Sequence, residues 1–172
     1  MVLKTSPKRD EAILVTLGNN GRIEAQVWNG VTGGWGSTAL LNTTNNLAGS
    51  TDIQSLYRGF DIEYENSSGD AVVVTGDGTE DPNYHVWNGS SWASPVDINI
   101  PTAVNGRTNW IELASRPGSD ELALITLDSL VDVYGMRWTG SAWDNMGTAT
   151  MWDAATAIAT EKCIDVAYEQ TS

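Results

Sequence analysis

Paired tryptophans are the residues of this chain whose type and spacing point most directly to a ligand site. In three segments, two tryptophans flank a turn that contains glycine; the pairs are Trp28 with Trp35, Trp87 with Trp92, and Trp138 with Trp143. An exposed indole can stack on the face of a sugar, whereas an indole wedged between packed elements only enlarges the apolar core. Structural wedging is the leading interpretation for both members of each pair. The candidate sugar-binding residues are those after the turns: Trp35, Trp92 and Trp143.

Catalysis has little support in the residue types present. His85 and Cys163 are the only histidine and cysteine, and no Ser-His-Asp or Cys-His arrangement has a sequence signature. We expect His85 to be an ordinary strand residue and Cys163 to be a small buried hydrophobe. The 22 acidic residues offer many carboxylate pairs of the glycosidase type, but Asp61, Glu63 and Glu65 alternate along one strand, which is the pattern of solvated side chains. The sequence therefore predicts a protein that is not an enzyme and needs no cofactor.

A metal site is only slightly better supported. Asp77, Thr79 and Asp81 space their oxygens like the start of a calcium loop. However, Pro82 stands where that loop requires glycine, and no distal glutamate follows at the right spacing. A hairpin turn whose acids bind no ion is the preferred interpretation, so we predict no metal.

Three sequons fall in predicted loops and begin at Asn42, Asn66 and Asn88. They would permit N-glycosylation in a secreted protein. In a chain rich in asparagine and serine such triplets also arise by chance, so both interpretations stay open.

The tryptophan pairs belong to an internal repeat, which sets the expectation for the whole fold. Thr16, Thr75 and Thr126 each precede the first tryptophan of a pair by twelve residues and follow a strongly apolar run. Each copy indicates four strands: an alternating strand such as residues 60–65, the apolar run, a strand that ends in the first tryptophan, and a strand that opens with the second. An Asn-Gly or Thr-Gly step between the last two indicates a hairpin. Four-stranded units of about 50 residues are typical of propeller blades.

The sequence predicts an all-β fold, a propeller-like array of three four-stranded antiparallel blades plus one extra C-terminal strand, in a single repeat domain. The units are approximately residues 1–58, 59–109 and 110–162, followed by an orphan strand at residues 163–172 that copies residues 60–65. Units one and three resemble each other most, because Glu11 and its neighbours recur 110 residues later around Glu121. Closed propellers have about four to eight blades, so a two-chain ring, an open arc and a linear assembly remain alternatives.

The orphan strand is the predicted assembly element. Ile164, Val166 and Tyr168 give it an apolar face, and an uncovered strand of this kind exposes unpaired backbone groups. We expect it to pair with the edge of a neighbouring copy by strand addition. Such pairing gives a ring if the rotation closes and a filament if it does not. A strand that folds back onto its own last blade is the alternative.

Net charge and hydropathy exclude two classes of partner. Nine basic residues against 22 acidic ones leave a formal net charge of −13, which repels nucleic-acid phosphates and anionic membrane surfaces. The apolar runs are too short for a membrane helix, and residues 1–10 lack the apolar region of a signal peptide. We therefore expect no nucleic-acid partner and no membrane insertion.

The segment from Trp87 to Trp92, Trp-Asn-Gly-Ser-Ser-Trp, resembles the Trp-Asn-Gly-type tandem repeats of very large bacterial and archaeal surface proteins. Residues 120–126, 138–143 and 164–169 look like parts of the same repeats. The resemblance implies a propeller-like, non-catalytic role that is extracellular or at the cell surface. Together with the orphan strand it predicts a structural or adhesion module that binds copies of itself by strand exchange and assembles into a filament or ring.

A more distant resemblance links residues 84–92 to a blade of the multivalent propeller lectins of fungi and bacteria. It implies the alternative function, a multivalent lectin that binds surface glycans at Trp-lined sites between blades. Only the second unit has a histidine in this segment, His85, and Gln26 and Met136 occupy its place in the other units. The sugar contacts of the lectins therefore do not carry over residue by residue.

Overall fold

The computed structural model describes residues 1–18, 21–42, 57–79, 81–100, 106–144, 151–153 and 161–169. All regular elements among these residues are β-strands, and none of the residues belongs to a helix long and apolar enough to cross a membrane. In chain order the strands are β1 (Val2–Thr5), β2 (Glu11–Leu17), β3 (Ile23–Asn29), β4 (Gly34–Asn42), β5 (Phe60–Tyr64), β6 (Ala71–Thr75), β7 (Asn83–Trp87), β8 (Val96–Asp97), β9 (Thr108–Ser115), β10 (Leu122–Asp128), β11 (Val133–Trp138), β12 (Trp143–Asp144) and β13 (Met151–Asp153).

The strands form three antiparallel sheets, which we name blade 1 (β1–β4), blade 2 (β5–β8) and blade 3 (β9–β12). Within each blade every strand pairs with the next strand of the chain, and the extra strand β13 pairs with β11. The predicted all-β, propeller-like array of three four-stranded blades plus one extra strand is confirmed. The extra strand lies at residues 151–153 and not at 163–172, and blade 3 begins at Thr108, slightly before the predicted unit boundary.

The constant spacing from threonine to tryptophan is the register of one hairpin in each blade. Trp28, Trp87 and Trp138 lie opposite the residues near the start of each apolar run, which are Ala12, Ala71 and Leu122. A shift of one residue in this pairing would turn every side chain of a strand to the opposite face. The constant spacing therefore keeps the same side chains in the core of each blade.

The core lies between neighbouring blades, and the central strand of blade 2 is buried on both faces. Ala71 and Val73 of β6 pack in the cluster with blade 1, whereas Val72 and Val74 pack in the cluster with blade 3. A strand covered on both faces requires a continuous apolar run, which is what residues 71–74 provide. Burial of these two apolar layers is the main force that holds the blades together.

Two acidic residues at β5 are buried, which contradicts the prediction that its acids are solvated. Asp61 is 3% exposed and accepts a hydrogen bond from the backbone N of Leu113 at 2.9 Å. Glu65 is 4% exposed and accepts one from Nε1 of Trp138. Both donors belong to blade 3, so the two carboxylates satisfy polar groups across the blade boundary. Of the three alternating acids Asp61, Glu63 and Glu65, only Glu63 is partly exposed.

Residues 161–169 form no strand and lie against blade 3. Ile164 is 9% exposed and packs in a cluster that contains Ile125, Leu127 and Val133, and Val166 packs against the same cluster. The apolar side chains of this segment thus pack on the last blade of their own chain, whereas pairing of the segment with a neighbouring copy stays a prediction. Residues 170–172 lie outside the described part of the chain.

This C-terminal segment repeats the contact that joins blade 2 to blade 1. Tyr168 donates its hydroxyl to Oε1 of Glu121 at 3.0 Å, and Tyr64 donates its hydroxyl to Oε1 of Glu11 at 3.1 Å. The two glutamates are the ones that recur 110 residues apart, so the segment lies on blade 3 where β5 lies on blade 1. The thiol of Cys163 is exposed, against the prediction of a buried residue, because it opens this surface segment.

Candidate functional site

The candidate site is a groove that occurs twice, once at each boundary between blades. Groove 1 is a cavity of about 310 Å³ between β4 of blade 1 and the side of blade 2 that carries Trp92. Groove 2 is a cavity of about 370 Å³ between β8 of blade 2 and the side of blade 3 that carries Trp143. Groove 1 is lined by residues 39–42 together with Asp77, Asn83, His85, Trp92, Ala93 and Pro95, and groove 2 by residues 96–99 together with Tyr84, Met136, Ala142 and Trp143.

The two grooves are the same position of the repeat. Glu24 and Asn83 are equivalent, because each lies opposite the repeat threonine of its own blade. Leu40 pairs with Glu24, and Asp97 pairs with Asn83. Leu40 and Asp97 are therefore equivalent as well. This alignment gives five residues of groove 1 a counterpart in groove 2: Leu40 corresponds to Asp97, Leu41 to Ile98, Asn42 to Asn99, His85 to Met136, and Trp92 to Trp143. The grooves therefore share their shape and differ in the side chains that line them.

Trp92 is held across the boundary between blades 1 and 2. Its Nε1 donates a hydrogen bond to the backbone O of Ser37 in β4 at 2.9 Å, and its ring lies 5.3 Å from the ring of Trp87. Trp87 is buried and donates its own Nε1 to Glu11 of blade 1 at 3.0 Å. One tryptophan of the pair is thus the wedge between blades, and the other is a fixed, partly exposed wall of groove 1.

The polar groups of groove 1 are an imidazole, amides and a carboxylate. His85 is 4% exposed, and its Nε2 is buried without a hydrogen-bond partner. Burial lowers the pKa of His85 to about 4, although a hydrogen bond to the Leu41 backbone acts in the opposite direction, so the ring is neutral at pH 7. Asn83 donates Nδ2 to Oδ2 of Asp77 at 3.0 Å. Groove 1 therefore offers hydrogen-bonding groups around an indole, and no Lys or Arg lines it.

Groove 2 has a more aromatic wall. The ring of Trp143 lies 5.4 Å from that of Trp138 and 6.1 Å from that of Tyr84, and its Nε1 is buried without a partner. Met136 is 3% exposed at the position that His85 has in groove 1. The polar side chains are Asp97 and Asn99, both exposed at the rim. This groove therefore resembles the first in its indole and differs in lacking the buried imidazole.

Trp35 lies apart from both grooves. It is 48% exposed, stacks edge to face on Trp28 at 5.6 Å, and borders a third cavity of about 300 Å³ that Glu11 also lines. Glu11 accepts hydrogen bonds from Trp87 and Tyr64 and pairs with Arg9, so its carboxylate is a structural hub between blades. The structure thus places the three candidate tryptophans in three separate cavities.

The calcium candidates hold their own turn together. Oδ1 of Asp77 accepts hydrogen bonds from the backbone N and hydroxyl of Thr79, and Oδ1 of Asp81 accepts one from the backbone N of Ile100 at 3.0 Å. The bonds of Asp77 are contacts of a turn that caps itself with an acid side chain, whereas Asp81 joins this turn to the segment that follows β8. Among the described residues no group of three or more His, Cys, Asp or Glu side chains is placed to hold a metal ion.

The three sequon asparagines differ in access. Asn42 is 6% exposed and donates Nδ2 to the backbone O of Gly76, which contradicts a glycan in a loop at this residue. Asn66 is half-buried and its backbone N donates to Ser119 of blade 3. Asn88 is exposed, and its Oδ1 accepts hydrogen bonds that close the turn between the tryptophans.

Sequence reasoning missed that groove 1 has a polar wall. The sequence predicts that His85 is an ordinary strand residue and indicates no role for Asn83, because nothing in it shows that β4 of blade 1 borders the same groove. One signal was available. The repeat places Gln26, His85 and Met136 at one position, two residues before the constant tryptophan, and a position whose chemistry changes from unit to unit is a candidate for a varied ligand contact.

These features define a class of protein, a propeller-like array of antiparallel blades with aromatic grooves at the blade boundaries. No protein-family model and no curated protein sequence matches the chain. Among solved structures, AofleA from Arthrobotrys oligospora, as an arginine-to-alanine variant, is similar with a TM-score of 0.53 and 15% identity over 86% of this chain. The chain spans only 41% of the length of that protein.

Two further solved structures are similar with lower scores. A fungal alcohol oxidase in complex with copper has a TM-score of 0.48 and 10% identity, over 86% of this chain and 30% of its own. The Aleuria aurantia lectin AAL, in complex with Fucα1-6GlcNAc, has a TM-score of 0.42 and 17% identity, over 78% of this chain and 44% of its own. At these identities the similarity concerns the fold alone.

Proposed function

We propose that this chain is a non-catalytic carbohydrate-binding module whose grooves 1 and 2 hold sugars against Trp92 and Trp143. The observation that carries the proposal is a repetition: a partly exposed indole lies beside amide and carboxylate side chains at two successive blade boundaries. A sugar requires this combination, because its ring faces are apolar and its edges carry hydroxyl groups. Two sites on one chain would also give avidity for a surface that displays many glycans.

The charges of the grooves favour neutral sugars over acidic ones. Asp77 lines groove 1, Asp97 lines groove 2, and none of the described residues that line either groove is Lys or Arg. The net charge of −13 adds a repulsive field for carboxylate- or phosphate-bearing ligands. Glycans are displayed outside cells, so the location that we propose is extracellular or at a cell surface.

Glycan-array screening with tryptophan variants tests this proposal. We expect saturable binding of neutral glycans, with affinity reduced at least about tenfold by Trp92→Ala or Trp143→Ala, because a central aromatic contact carries a large share of a binding free energy. Trp152→Ala is the matched control, since Trp152 is 47% exposed and lies outside both grooves. Binding that survives the double substitution of Trp92 and Trp143, with the fold intact by circular dichroism, would contradict the proposal.

A second candidate function is self-association through the outer face of blade 1. Leu3 is 56% exposed there, whereas its repeat equivalents Ile62 and Leu113 are 0% and 5% exposed between blades. Leu14 lies opposite Leu3, and Trp28 lies opposite Ala12. Because Ala12 and Leu14 are two residues apart on β2, all four side chains lie on the same face of the sheet. The outer face of blade 1 thus resembles the faces of blades 2 and 3 that pack against the preceding blade. This resemblance favours docking of a second copy of this chain on it.

Light scattering of two surface variants tests self-association. Leu3→Glu places a charge on the docking face, and we expect it to convert oligomers to monomers. Val31→Glu is the matched control, because Val31 is 87% exposed in a turn away from that face. A wild-type protein that is monomeric at all concentrations would exclude this candidate and leave the sugar-binding proposal standing.

A further inference from the structure

His85 is a buried polar side chain at the wall of groove 1. Its Nε2 has no hydrogen-bond partner among the described residues, and the ring borders the groove. The imidazole also has a hydrogen bond to the backbone of Leu41, which we assign to the other ring nitrogen, Nδ1, because Nε2 is the unpartnered one. A neutral imidazole that donates from Nδ1 to a backbone carbonyl presents Nε2 as an acceptor.

An unpaired acceptor inside a protein has a cost that a ligand can remove. A buried polar atom without a partner destabilises the fold, and such atoms are uncommon enough to require an explanation. Met136 at the equivalent position of groove 2 has no comparable need. Methionine can replace neither the hydrogen bond to Leu41 nor the acceptor, and of these two properties only the acceptor at the groove wall is open to a ligand.

The other side chains of groove 1 restrict what can donate to Nε2. Trp92 supplies an apolar platform, Asp77 disfavours anions, and Asn83 adds an amide. A ligand that suits all of them is uncharged, has an apolar ring face, and carries a hydroxyl group that points to the imidazole. A cavity of about 310 Å³ has room for one such ring.

We propose that groove 1 recognises a neutral monosaccharide unit through a hydroxyl group that donates a hydrogen bond to Nε2 of His85. Groove 2, with Met136 in that place, lacks this acceptor and does not select for a hydroxyl donor at that position. This inference rests on the proposed sugar-binding function. It identifies His85 as the residue that makes the sugar selectivity of groove 1 differ from that of groove 2. A site built to hydrogen-bond a hydroxyl group rejects analogues that lack the donor, because its own acceptor is then left unpaired.

Fluorinated sugars provide the test. The probes are D-glucose, D-galactose, D-mannose and L-fucose, with their monofluorinated deoxy counterparts, in which fluorine keeps the size of a hydroxyl group but cannot donate. Binding is measured by calorimetry in a Trp143→Ala background, so that groove 1 alone reports. For one ring position we expect fluorine to weaken binding about tenfold or more, and we expect His85→Met to abolish that difference. Met136→His in a Trp92→Ala background is the reciprocal control and should create a difference in groove 2.

A spectroscopic measurement keeps the test independent of folding effects. His85 is the only histidine, so its ¹⁵N imidazole signals are unique, and Nε2 should move toward the hydrogen-bonded range when the sugar binds while Nδ1 stays constant. Equal binding of hydroxyl and fluoro sugars at every position, with Trp92→Ala still abolishing binding, would overturn this inference and leave the proposed function intact. No binding of any probe or array glycan would overturn both.

Discussion

Val131 holds a backbone conformation that a β-branched residue rarely adopts. Its φ is 71°, in the left-handed region where only glycine is free of a steric penalty. The equivalent turn of blade 1 has Gly21 at this position with φ of 76°. In both turns this residue donates its backbone N to the residue three positions earlier, Asp128 or Gly18. The repeat therefore shows which residue the turn conformation favours.

Substitution of Val131 by glycine should stabilise the protein. We expect Val131→Gly to raise the free energy of unfolding by about 1 kcal/mol, because it relieves the left-handed strain, as measured by urea denaturation. Leu130→Gly in the same turn is the control; Leu130 has no positive φ, so glycine there should be neutral or destabilising. Equal effects of the two substitutions would show that the backbone conformation is not the cause.

Asp61 should give stability an unusual pH dependence. Burial raises the pKa of Asp61 to about 6 from 3.8, although a hydrogen bond from Leu113 opposes the shift. The folded state therefore binds this proton more tightly than the unfolded state does. The contribution of Asp61 to stability is fully present below about pH 4 and is lost as the pH rises through 6.

The variant Asp61→Asn isolates this effect. The difference in unfolding free energy between variant and wild type should shift in favour of the variant by about 2–3 kcal/mol from pH 4 to pH 8, because the amide never ionises. Denaturant titrations at both pH values measure it, with Glu63→Gln on the partly exposed neighbour as control. A difference that is constant with pH would contradict the burial of an ionisable Asp61.

The sequence could not reveal these residue-scale features. Alternation along residues 60–65 predicts one solvated face, which is the correct default for an isolated half-buried strand. Asp61 departs from it because a backbone donor from β9, more than 50 residues away in sequence, needs an acceptor at that place. Such demands arise only when two blades are packed together, and no local pattern encodes them.

At the scale of elements, Glu11 joins two blades at one carboxylate. It begins β2 of blade 1 and accepts hydrogen bonds from Nε1 of Trp87 at 3.0 Å and the hydroxyl of Tyr64 at 3.1 Å, both on blade 2. Desolvation and this hydroxyl-to-carboxylate bond also hold the pKa of Tyr64 far above its ordinary value, with desolvation the larger effect. The wedge position of Trp87 thus depends on an acid of the neighbouring blade.

Removal of this carboxylate should weaken the boundary between blades 1 and 2. We expect Glu11→Ala to lower the free energy of unfolding by about 2–4 kcal/mol, since it leaves two donors without partners. Glu24→Ala is the matched control, because Glu24 is an exposed acid on the same blade, and it should change stability by less than about 0.5 kcal/mol. Thermal unfolding measures both, and equal losses would argue against the hub.

Elements were predicted best where the repeat is strict. The repeat predicts a strand in the apolar run before Thr75 and a strand that ends in Trp87, and the structure shows both as the paired strands β6 and β7. Residues 163–169 carry the same alternation as β5, yet they have no strand partner among the described residues and lie on blade 3 through side chains. Pattern alone cannot distinguish a paired strand from a segment that only packs.

For the whole molecule, the sequence predicts the number of blades, and the lectin resemblance implies Trp-lined sites between them, but the residues of the preceding blade that complete each site are not predicted. Groove 1 combines β4 of blade 1 with Trp92 and His85 of blade 2, so it exists only after two units pack. The motif that carries Trp92 gave half of the site. The other half, the outer strand of the preceding blade, has no sequence signature of its own, because its role depends on position in the array.

We expect one sugar to bind in each of grooves 1 and 2. Calorimetric titration of the folded chain with the neutral glycan that binds best on the array measures the number of sites. We expect two sites per chain, one site in Trp92→Ala and in Trp143→Ala, and none when both are replaced. Two sites that persist in the double variant, or no saturable binding of any neutral glycan by the folded protein, would be incompatible with sugar binding in these grooves.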